Sequence, residues 1–215
     1  MFRIYRKPSK GEFFLIGGDT SQGGADSNFG GALSYQKIDF PIVWDFPFTV
    51  AATVTPYIHA LAVWIYKETG VPPMIALERQ NGGASEMERL RVMNTHNYYR
   101  LYVAKSFGKT EGEQETEKLG WDTNSATRPK MIGDWRTAFD GRVPTIYDAA
   151  TISQHKTFVT NKRGRPEAAP KKHDDAVMFS AICWQMYQTE EPEYPEEDDD
   201  DDYYSPEPQL NFMPT

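Results

Sequence analysis

The chain has 215 residues, of which 39% are hydrophobic and 13% aromatic, so it can build one sizeable core. It contains no apolar run as long as a membrane span, and its basic first seven residues lack the apolar segment of a secretory signal. Its single cysteine, Cys183, can form no internal disulfide. We therefore expect a protein of a reducing compartment with no membrane partner, and Cys183 as a small core residue.

The formal net charge of -8 is concentrated at one end of the chain. Residues 189–215 hold eleven acidic residues and no Lys or Arg, which leaves 20 acidic against 23 basic residues in the rest, a net +3. The composition predicts a disordered acidic tail that serves either as an interaction arm or only as a solubilising segment. The body is mildly basic, and as an interaction arm the acidic tail could also mimic a polyanion.

The first part of the chain predicts strands. Residues 1–11 are expected to be an exposed leader or linker. Residues 12–19 form an apolar run that ends in two glycines and Asp19, which is typical of a buried strand with an acid at its end. After a Gly-rich loop, residues 31–36 and 41–46 predict two further strands, so that the three form an antiparallel meander.

The remaining elements alternate between helix and strand. The first of them are a helix that begins at Thr53 or Thr55 and ends before Gly70, a strand at 74–78, a helix at 85–93 and a strand at 98–104. A long loop at 106–126 follows. The last elements are a helix at 127–140, a strand at 143–147, a helix at 151–159, a basic turn at 161–166 and a helix that begins at the Asp174-Asp175 pair. This order predicts one α/β domain over residues 12–188, with a mixed central sheet and helices on both faces.

Four carboxylates stand at the ends of these elements. Asp19 and Glu78 end apolar strands, and Asp174 and Asp175 begin the last helix. Each alone is explained by a loop edge or a charged first helical turn. Together, on separate buried elements, they predict a site for a hard cation such as Mg²⁺ or Mn²⁺, and no Cys/His cluster competes for zinc.

Basic residues surround this predicted site. Two ions about 3.5–4 Å apart would clamp a phosphodiester, and cations near them would bind its backbone without reading sequence. The candidate contacts are Arg79, Lys162, Arg163, Arg165, Lys171 and Lys172. His173 either positions water or a phosphate, or lies in a simple turn.

One motif is rejected. Residues 108–110 spell the Gly-Lys-Thr end of a phosphate-binding loop, but the first glycine of that motif falls on Val103, and no Gly-rich turn precedes it. We therefore expect no nucleotide-binding loop of this kind in the chain.

The acidic segments resemble a known family. The segments FLIGGDT at 14–20, IALERQNGG at 75–83 and HDDAV at 173–177 look like the three acidic motifs of the nuclease domain of tailed-phage terminase large subunits. The segments LGWDTN at 119–124 and RPKMI at 128–132 are similar to the stretch that this family carries between its second and third motifs. The resemblance covers about residues 12–188.

This resemblance implies an RNase H-like fold and a metal-dependent endonuclease that cuts double-stranded DNA concatemers during viral genome packaging. Asp19, Glu78 and one or both of Asp174 and Asp175 would bind two Mg²⁺ or Mn²⁺ ions, with a slight preference for Asp175 within the pair. In such a setting the partners would be DNA, an ATPase motor domain, a small terminase subunit and the portal, in the host cytoplasm.

One departure and two rival hypotheses accompany the resemblance. Terminase large subunits carry an ATPase motor with a phosphate-binding loop before the nuclease, and this chain has no such loop. It is therefore either a nuclease domain of a longer protein or a separately encoded nuclease. The rivals are a resolvase-type nuclease for branched DNA and a DNA-binding or packaging-scaffold module that does not cut.

Overall fold

A computed structural model describes residues 1–23, 27–104, 118–161, 164 and 166–194. Its strands are β1 (Phe2–Ile4), β2 (Phe14–Asp19), β3 (Ser27–Ser34), β4 (Asp39–Pro47), β5 (Met74–Leu77), β6 (Arg100–Leu101), β7 (Val103–Ala104), β8 (Lys118–Leu119), β9 (Thr145–Ile146), β10 (Phe158–Thr160) and β11 (Pro166–Ala168). Its helices are α1 (Ala51–Thr69), α2 (Gly83–Met93), α3 (Thr127–Asp140), α4 (Ala149–Lys156) and α5 (Asp175–Thr189).

The main sheet is mixed, as the sequence predicts. Its strand order is β1-β4-β3-β2-β5-β6, and β9 pairs with β4 beside that path. Strands β2, β3 and β4 form the antiparallel meander, whereas β5 runs parallel to β2 and β6 parallel to β5. Because β2 and β5 point in the same direction, their carboxyl ends lie at one edge of the sheet.

Helices cover both faces of this sheet. Phe14 and Ile16 on β2 pack with α1 and α2 in one buried cluster, while Phe13 and Leu15 pack with α3 and α5 in the other. This alternation follows from the opposite directions of successive side chains in a strand. The prediction of helices on both faces is confirmed.

Helix α5 lies directly against the backbone of β2. A Cβ atom at Gly17 would stand 2.6 Å from the Cys183 sulfur and 2.8 Å from the Phe179 carbonyl oxygen, so only glycine allows this approach. Cys183 is fully buried there, in agreement with its predicted core role, and burial raises the pKa of its thiol. The contact fixes where the first turn of α5 falls relative to the end of β2.

The predicted exposed leader is wrong for the first residues. Phe2–Ile4 pairs with β4 as an edge strand, and the Phe2 ring packs edge-on against Trp44 and Phe46 at 5.9 and 5.6 Å. Three residues are too few to show a strand period, so the sequence pattern carried no signal for this strand.

Other boundaries also differ from the predictions. Strand β3 begins at Ser27 inside the predicted loop, and α1 begins at Ala51 without a side-chain cap rather than at a threonine. The predicted strand at 98–104 is two short strands in different sheets, and the predicted helix at 151–159 ends at Lys156 before β10. Residues 105–117 of the predicted long loop lie outside the described residues.

Strands β10 and β11 form a hairpin that the sequence did not predict. It flanks the predicted basic turn, of which residues 162, 163 and 165 lie outside the described residues. Within the part of the chain that the structure describes, no helix combines the length and apolar character needed to cross a bilayer.

Candidate active site

The sheet brings Asp19 and Glu78 side by side. Gly18 and Leu77 are register partners in the parallel pair β2–β5, and the Glu78 backbone N–H donates to the Gly18 carbonyl over 2.8 Å. The next residue on each strand therefore carries its carboxyl group to the same edge, where the Glu78 carboxyl group influences that of Asp19. The predicted position of both acids at strand ends is what creates this pair.

Helix α5 supplies the other two carboxylates. Phe179 lies over Gly17, and one helical turn earlier Asp175 lies toward Asp19, two residues further along β2 on the same face. Asp175 is the first residue of α5 and Asp174 immediately precedes it. The close packing at Gly17 thus places the acidic pair of the helix at the carboxyl end of the sheet.

All four carboxylates line one open cleft of about 290 Å³ with almost entirely polar walls. The cleft is lined by Asp19, Thr20, Ser27, Glu78, Gln80, Asn81, Arg128, Lys172, His173, Asp174, Asp175 and Met178. Acids from two strand ends and one helix start therefore converge at a single place on the surface.

The electrostatics of the cleft are dominated by mutual repulsion. The pKa of Asp19 is raised well above its ordinary value, first by burial and then by the charge of Glu78, with smaller effects from Asp175 and Asp174. A carboxyl group that is buried among other carboxyl groups resists ionisation. A cation bound among them would relieve this repulsion, which makes the cluster a candidate metal centre.

One of these carboxyl groups is paired with an arginine. Asp174 accepts a hydrogen bond from Arg128 over 3.0 Å. Among the described residues, no three Asp, Glu, His or Cys side chains stand close enough together to form a ready-made metal site. The donor chemistry nevertheless fits a hard divalent cation, because carboxylate oxygens from a rigid frame are its preferred ligands.

The predicted basic residues divide into three groups. Lys172 lines the cleft, while Lys171 is exposed outside its wall with a positive φ of 62°. Arg79 is absent from the lining of the cleft and its guanidinium donates to the Leu119 carbonyl over 2.5 Å, so its contact with nucleic acid stays a prediction. Lys162, Arg163 and Arg165 lie outside the described residues.

His173 lies at the rim of the cleft. Its side chain is half exposed, and its Nδ1 atom is 4.0 Å from an Asp175 carboxylate oxygen. This position agrees with either of the two roles that the sequence left open.

The turn after β5 contributes neutral groups that the sequence analysis missed. The Thr20 hydroxyl donates to the Gln80 carbonyl over 3.0 Å and so ties the ends of β2 and β5 together. A Cβ atom at Gly83 would stand 1.7 Å from the Glu78 carbonyl oxygen, so α2 can begin tightly against this turn only with glycine there. The Gly82-Gly83 pair, interpreted only as a strand breaker, was the available signal.

Asn28 orients the loop between β2 and β3. Its buried side chain accepts a hydrogen bond from the Ser21 backbone N–H over 2.8 Å and donates to the Thr49 carbonyl. This side chain therefore ties the residues after β2 to those after β4.

Solved structures with the same fold are large terminase nucleases of phages. The large terminase nuclease from thermophilic phage G20c with bound cobalt is 13% identical with a TM-score of 0.63, and the match covers 86% of each chain. The Thermus phage P74-26 large terminase nuclease domain is 13% identical with a TM-score of 0.62, covering 90% of this chain and 89% of that one. The G20c nuclease with bound magnesium is 12% identical with a TM-score of 0.61 and covers 86% of each chain.

No family model and no curated protein matches the sequence. The structural comparisons establish that the chain has the RNase H-like fold of large terminase nuclease domains. The resemblance drawn from the three acidic segments is thereby confirmed at the level of the fold.

Proposed function

We propose that this chain is a divalent-metal-dependent endonuclease that hydrolyses double-stranded DNA during viral genome packaging, as a terminase-type nuclease. The observation that carries the proposal is the convergence of Asp19, Glu78, Asp174 and Asp175 on one polar cleft. The shared fold with large terminase nuclease domains supports it. A scaffold module that does not cut would have no need for four acids that repel one another at one site.

The cluster carboxylates are the proposed ligands. Asp19 and Glu78 lie at the carboxyl edge of the sheet, and Asp175 approaches from the first turn of α5, while Asp174 is held by Arg128. Mg²⁺ or Mn²⁺ bound there would activate water and neutralise charge on the cleaved phosphodiester. The protein contributes the rigid spacing of the acids.

The basic residues would hold the DNA backbone. Lys172 and Arg128 line the cleft, and Lys171 stands beside it. In the sequence, Lys162, Arg163 and Arg165 come after β10 and before β11. They remain proposed contacts because of their charge and their place in the sequence. Phosphate contacts of this kind give affinity without base readout, so little sequence preference is expected.

The wider biological setting follows from the terminase relation. We assign the nuclease to residues 12–188, extended by edge strand β1, and treat residues 189–215 as an acidic tail. The proposed partners are an ATPase motor domain, a small terminase subunit and the portal, and the proposed location is the host cytoplasm.

Plasmid cleavage by the purified chain tests the proposal. Reactions with Mn²⁺, with Mg²⁺ and with EDTA are compared for the wild type, Asp19→Asn, Glu78→Gln and the control Glu88→Gln, whose acid is exposed on α2 and pairs with Arg91. We expect metal-dependent cutting that both cluster variants lose and the control retains. Cutting that survives both cluster substitutions, or no cutting with any metal, would contradict the proposal.

A second substrate distinguishes a terminase-type nuclease from a resolvase-type nuclease for branched DNA. A four-way DNA junction is offered beside linear duplex under the same conditions. A terminase-type enzyme cuts the linear duplex at least as well, whereas a strong preference for the junction would favour a resolvase-type activity.

A further inference from the structure

Arg128 lies where two clefts meet. The second cleft, of about 500 Å³, adjoins the carboxylate cleft and is lined by Glu78, Gln80, Thr123, Asn124, Ser125, Arg128, Pro129, Pro166 and Glu167. Among the Lys and Arg side chains that the structure describes, Arg128 alone lines both clefts. A strand that runs from one cleft to the other would therefore meet this guanidinium as the shared cation, beside Glu78 and Gln80, which also line both clefts.

The contacts of Arg128 set it apart from the other cations of the site. Its Nη2 atom donates to the Asp174 carboxylate over 3.0 Å, and its Nη1 atom lies 3.1 Å from the Met178 sulfur. Of the Lys and Arg side chains that the structure describes, Arg128 is the one that forms an ion pair with a carboxylate of the cleft. Asp174 is consequently neutralised by the protein itself.

The Arg128–Asp174 pair is open to exchange. The side chains of Arg128 and Asp174 are 35% and 28% exposed, and ion pairs this accessible to water contribute little to stability. A phosphate group competes with a carboxylate for the same guanidinium, because both accept its forked donors. A DNA phosphate in the cleft is thus a strong competitor for Arg128.

The second cleft offers the groups that a DNA backbone needs beside Arg128. Its walls carry the neutral polar side chains of Gln80, Asn124 and Ser125, together with the acids Glu78 and Glu167. Such neutral groups commonly hydrogen-bond phosphate and sugar without reading bases.

We infer that Arg128 is a phosphate-binding residue whose ion pair with Asp174 couples DNA binding to metal binding. Without DNA, Arg128 occupies Asp174, so Asp19, Glu78 and Asp175 form the primary metal site. When a DNA phosphate takes Arg128, Asp174 is released to act as an additional ligand. This inference rests on the proposed function, and it assigns distinct roles to the two adjacent aspartates.

Thermodynamic linkage predicts whether metal affinity and DNA affinity rise or fall when Arg128 is replaced. If Arg128 and a metal ion compete for Asp174, removal of the arginine tightens metal binding in the absence of DNA. If Arg128 also binds phosphate, its removal weakens DNA binding in the absence of metal. A purely structural role would weaken both, so opposite signs exclude it, and a charge-conserving variant then separates the ion pair from charge alone.

The test measures the two affinities separately on the full chain. Mn²⁺ binding is measured by calorimetry without DNA, and binding of a labelled duplex is measured by fluorescence anisotropy in EDTA. For Arg128→Gln we expect Mn²⁺ to bind three- to tenfold more tightly and DNA at least fivefold more weakly. The matched control Arg136→Gln, which removes an exposed arginine of the same helix paired with Asp140, changes neither by more than twofold.

Two further variants sharpen the test. Arg128→Lys keeps the charge but loses the fork, so its DNA affinity should fall between those of the wild type and Arg128→Gln. Asp174→Asn releases Arg128 and removes a negative charge, so duplex binding in EDTA should tighten about threefold. Circular dichroism confirms that each variant is folded before its affinities are compared.

The outcomes separate this inference from the proposed function. If the wild type neither binds Mn²⁺ nor cuts DNA, the proposed function itself fails. If the wild type cuts with Mn²⁺ but Arg128→Gln binds DNA like the control, or binds Mn²⁺ no more tightly than the wild type, only the coupling through Arg128 is overturned.

Discussion

The molecule holds two groups of acids, one mostly half-buried and one almost fully buried, that meet opposite electrostatic surroundings. At the carboxyl end of β2 and β5, the four carboxylates of the cleft face mainly one another. At the other end of β2 and along the β1–β4 edge, Glu12, Asp39 and Asp148 are almost fully buried. There each acid is bonded to an arginine from the first six residues.

The contacts of the second group are dense. Arg6 donates to both Glu12 and Asp39, with 2.7 Å between its Nε atom and an Asp39 oxygen. Arg3 and the Tyr5 hydroxyl donate to one Asp148 oxygen over 2.6 and 2.7 Å. We call these three acids and two arginines the arginine network.

The pKa of Asp19 in the cleft is shifted in the opposite direction to those of Glu12 and Asp148 in the arginine network. Burial alone would raise the pKa of Glu12 and of Asp148, but hydrogen bonds from Arg6 and Arg3 outweigh it, so both pKa values are lowered. In the cleft, burial and neighbouring carboxylates raise the pKa of Asp19. Buried acids paired with arginines stabilise the fold, whereas carboxyl groups clustered together favour the binding of a cation from outside.

The largest expected effect is that of Asp19→Asn. We expect metal-dependent cleavage to fall by at least about a hundredfold, because the substitution removes a central candidate ligand. In EDTA at neutral pH the same variant should be more stable than the wild type, since a repelled carboxyl group is replaced by a neutral amide. Denaturant unfolding in EDTA measures this, and a loss of stability would show that Asp19 belongs with the arginine network instead.

Asp148→Asn should behave in the opposite way. The substitution leaves Arg3 without its carboxylate and weakens the cap that the Asp148 side chain gives to the Thr151 N–H at 2.7 Å. We expect a loss of roughly 3 kcal/mol of unfolding free energy, the lower end for broken buried ion pairs because Arg3 is partly exposed. Mn²⁺ affinity should stay within twofold of the wild type, and a larger change would contradict the separation of the arginine network from the cleft acids.

The pH dependence should separate the groups by sign. Asp19 has a raised folded-state pKa, so its favourable contribution is present at low pH and is lost as pH rises from about 4 through that pKa. Asp148 has a lowered folded-state pKa, so its favourable contribution to stability is present above about pH 4 and is lost as the pH falls below that value. Urea unfolding in EDTA between pH 3 and 8 tests both signs. Relative to the wild type, the advantage of Asp19→Asn should grow with rising pH, and the deficit of Asp148→Asn should shrink below pH 4.

The cleft acids were predictable from the sequence because local pattern and position coincide. An apolar run that ends in an acid marks a strand end, and Asp174 and Asp175 precede a long apolar helix. The arginine network was not predictable from the sequence. The three-residue edge strand that carries Arg3 shows no period, and the arginines that bind Asp39 and Asp148 lie 33 or more residues from these acids along the chain. Contacts of that range are set by the fold rather than by local propensity.

The glycines of β3 show a second limit. The Gly-rich stretch up to residue 31 has the composition of a loop, yet Gly30 and Gly31 lie within the strand. A Cβ atom at Gly30 would stand 2.0 Å from the Trp44 ring, so glycine is required there by cross-strand packing, which outweighs its low strand propensity.

The smallest expected effect concerns two cations that the sequence grouped together. Lys172 lines the cleft, whereas Arg79 donates to the Leu119 carbonyl and is absent from the lining of the cleft. Lys172→Gln should weaken duplex binding in EDTA about threefold and lower the slope of log affinity against log salt by about 1, as expected for one lost phosphate contact. Arg79→Gln should leave affinity and slope unchanged and reduce only the thermal midpoint. Equal losses of DNA affinity in both variants would mean that the cationic surface extends beyond the cleft, and that a bound strand also runs over the turn after β5.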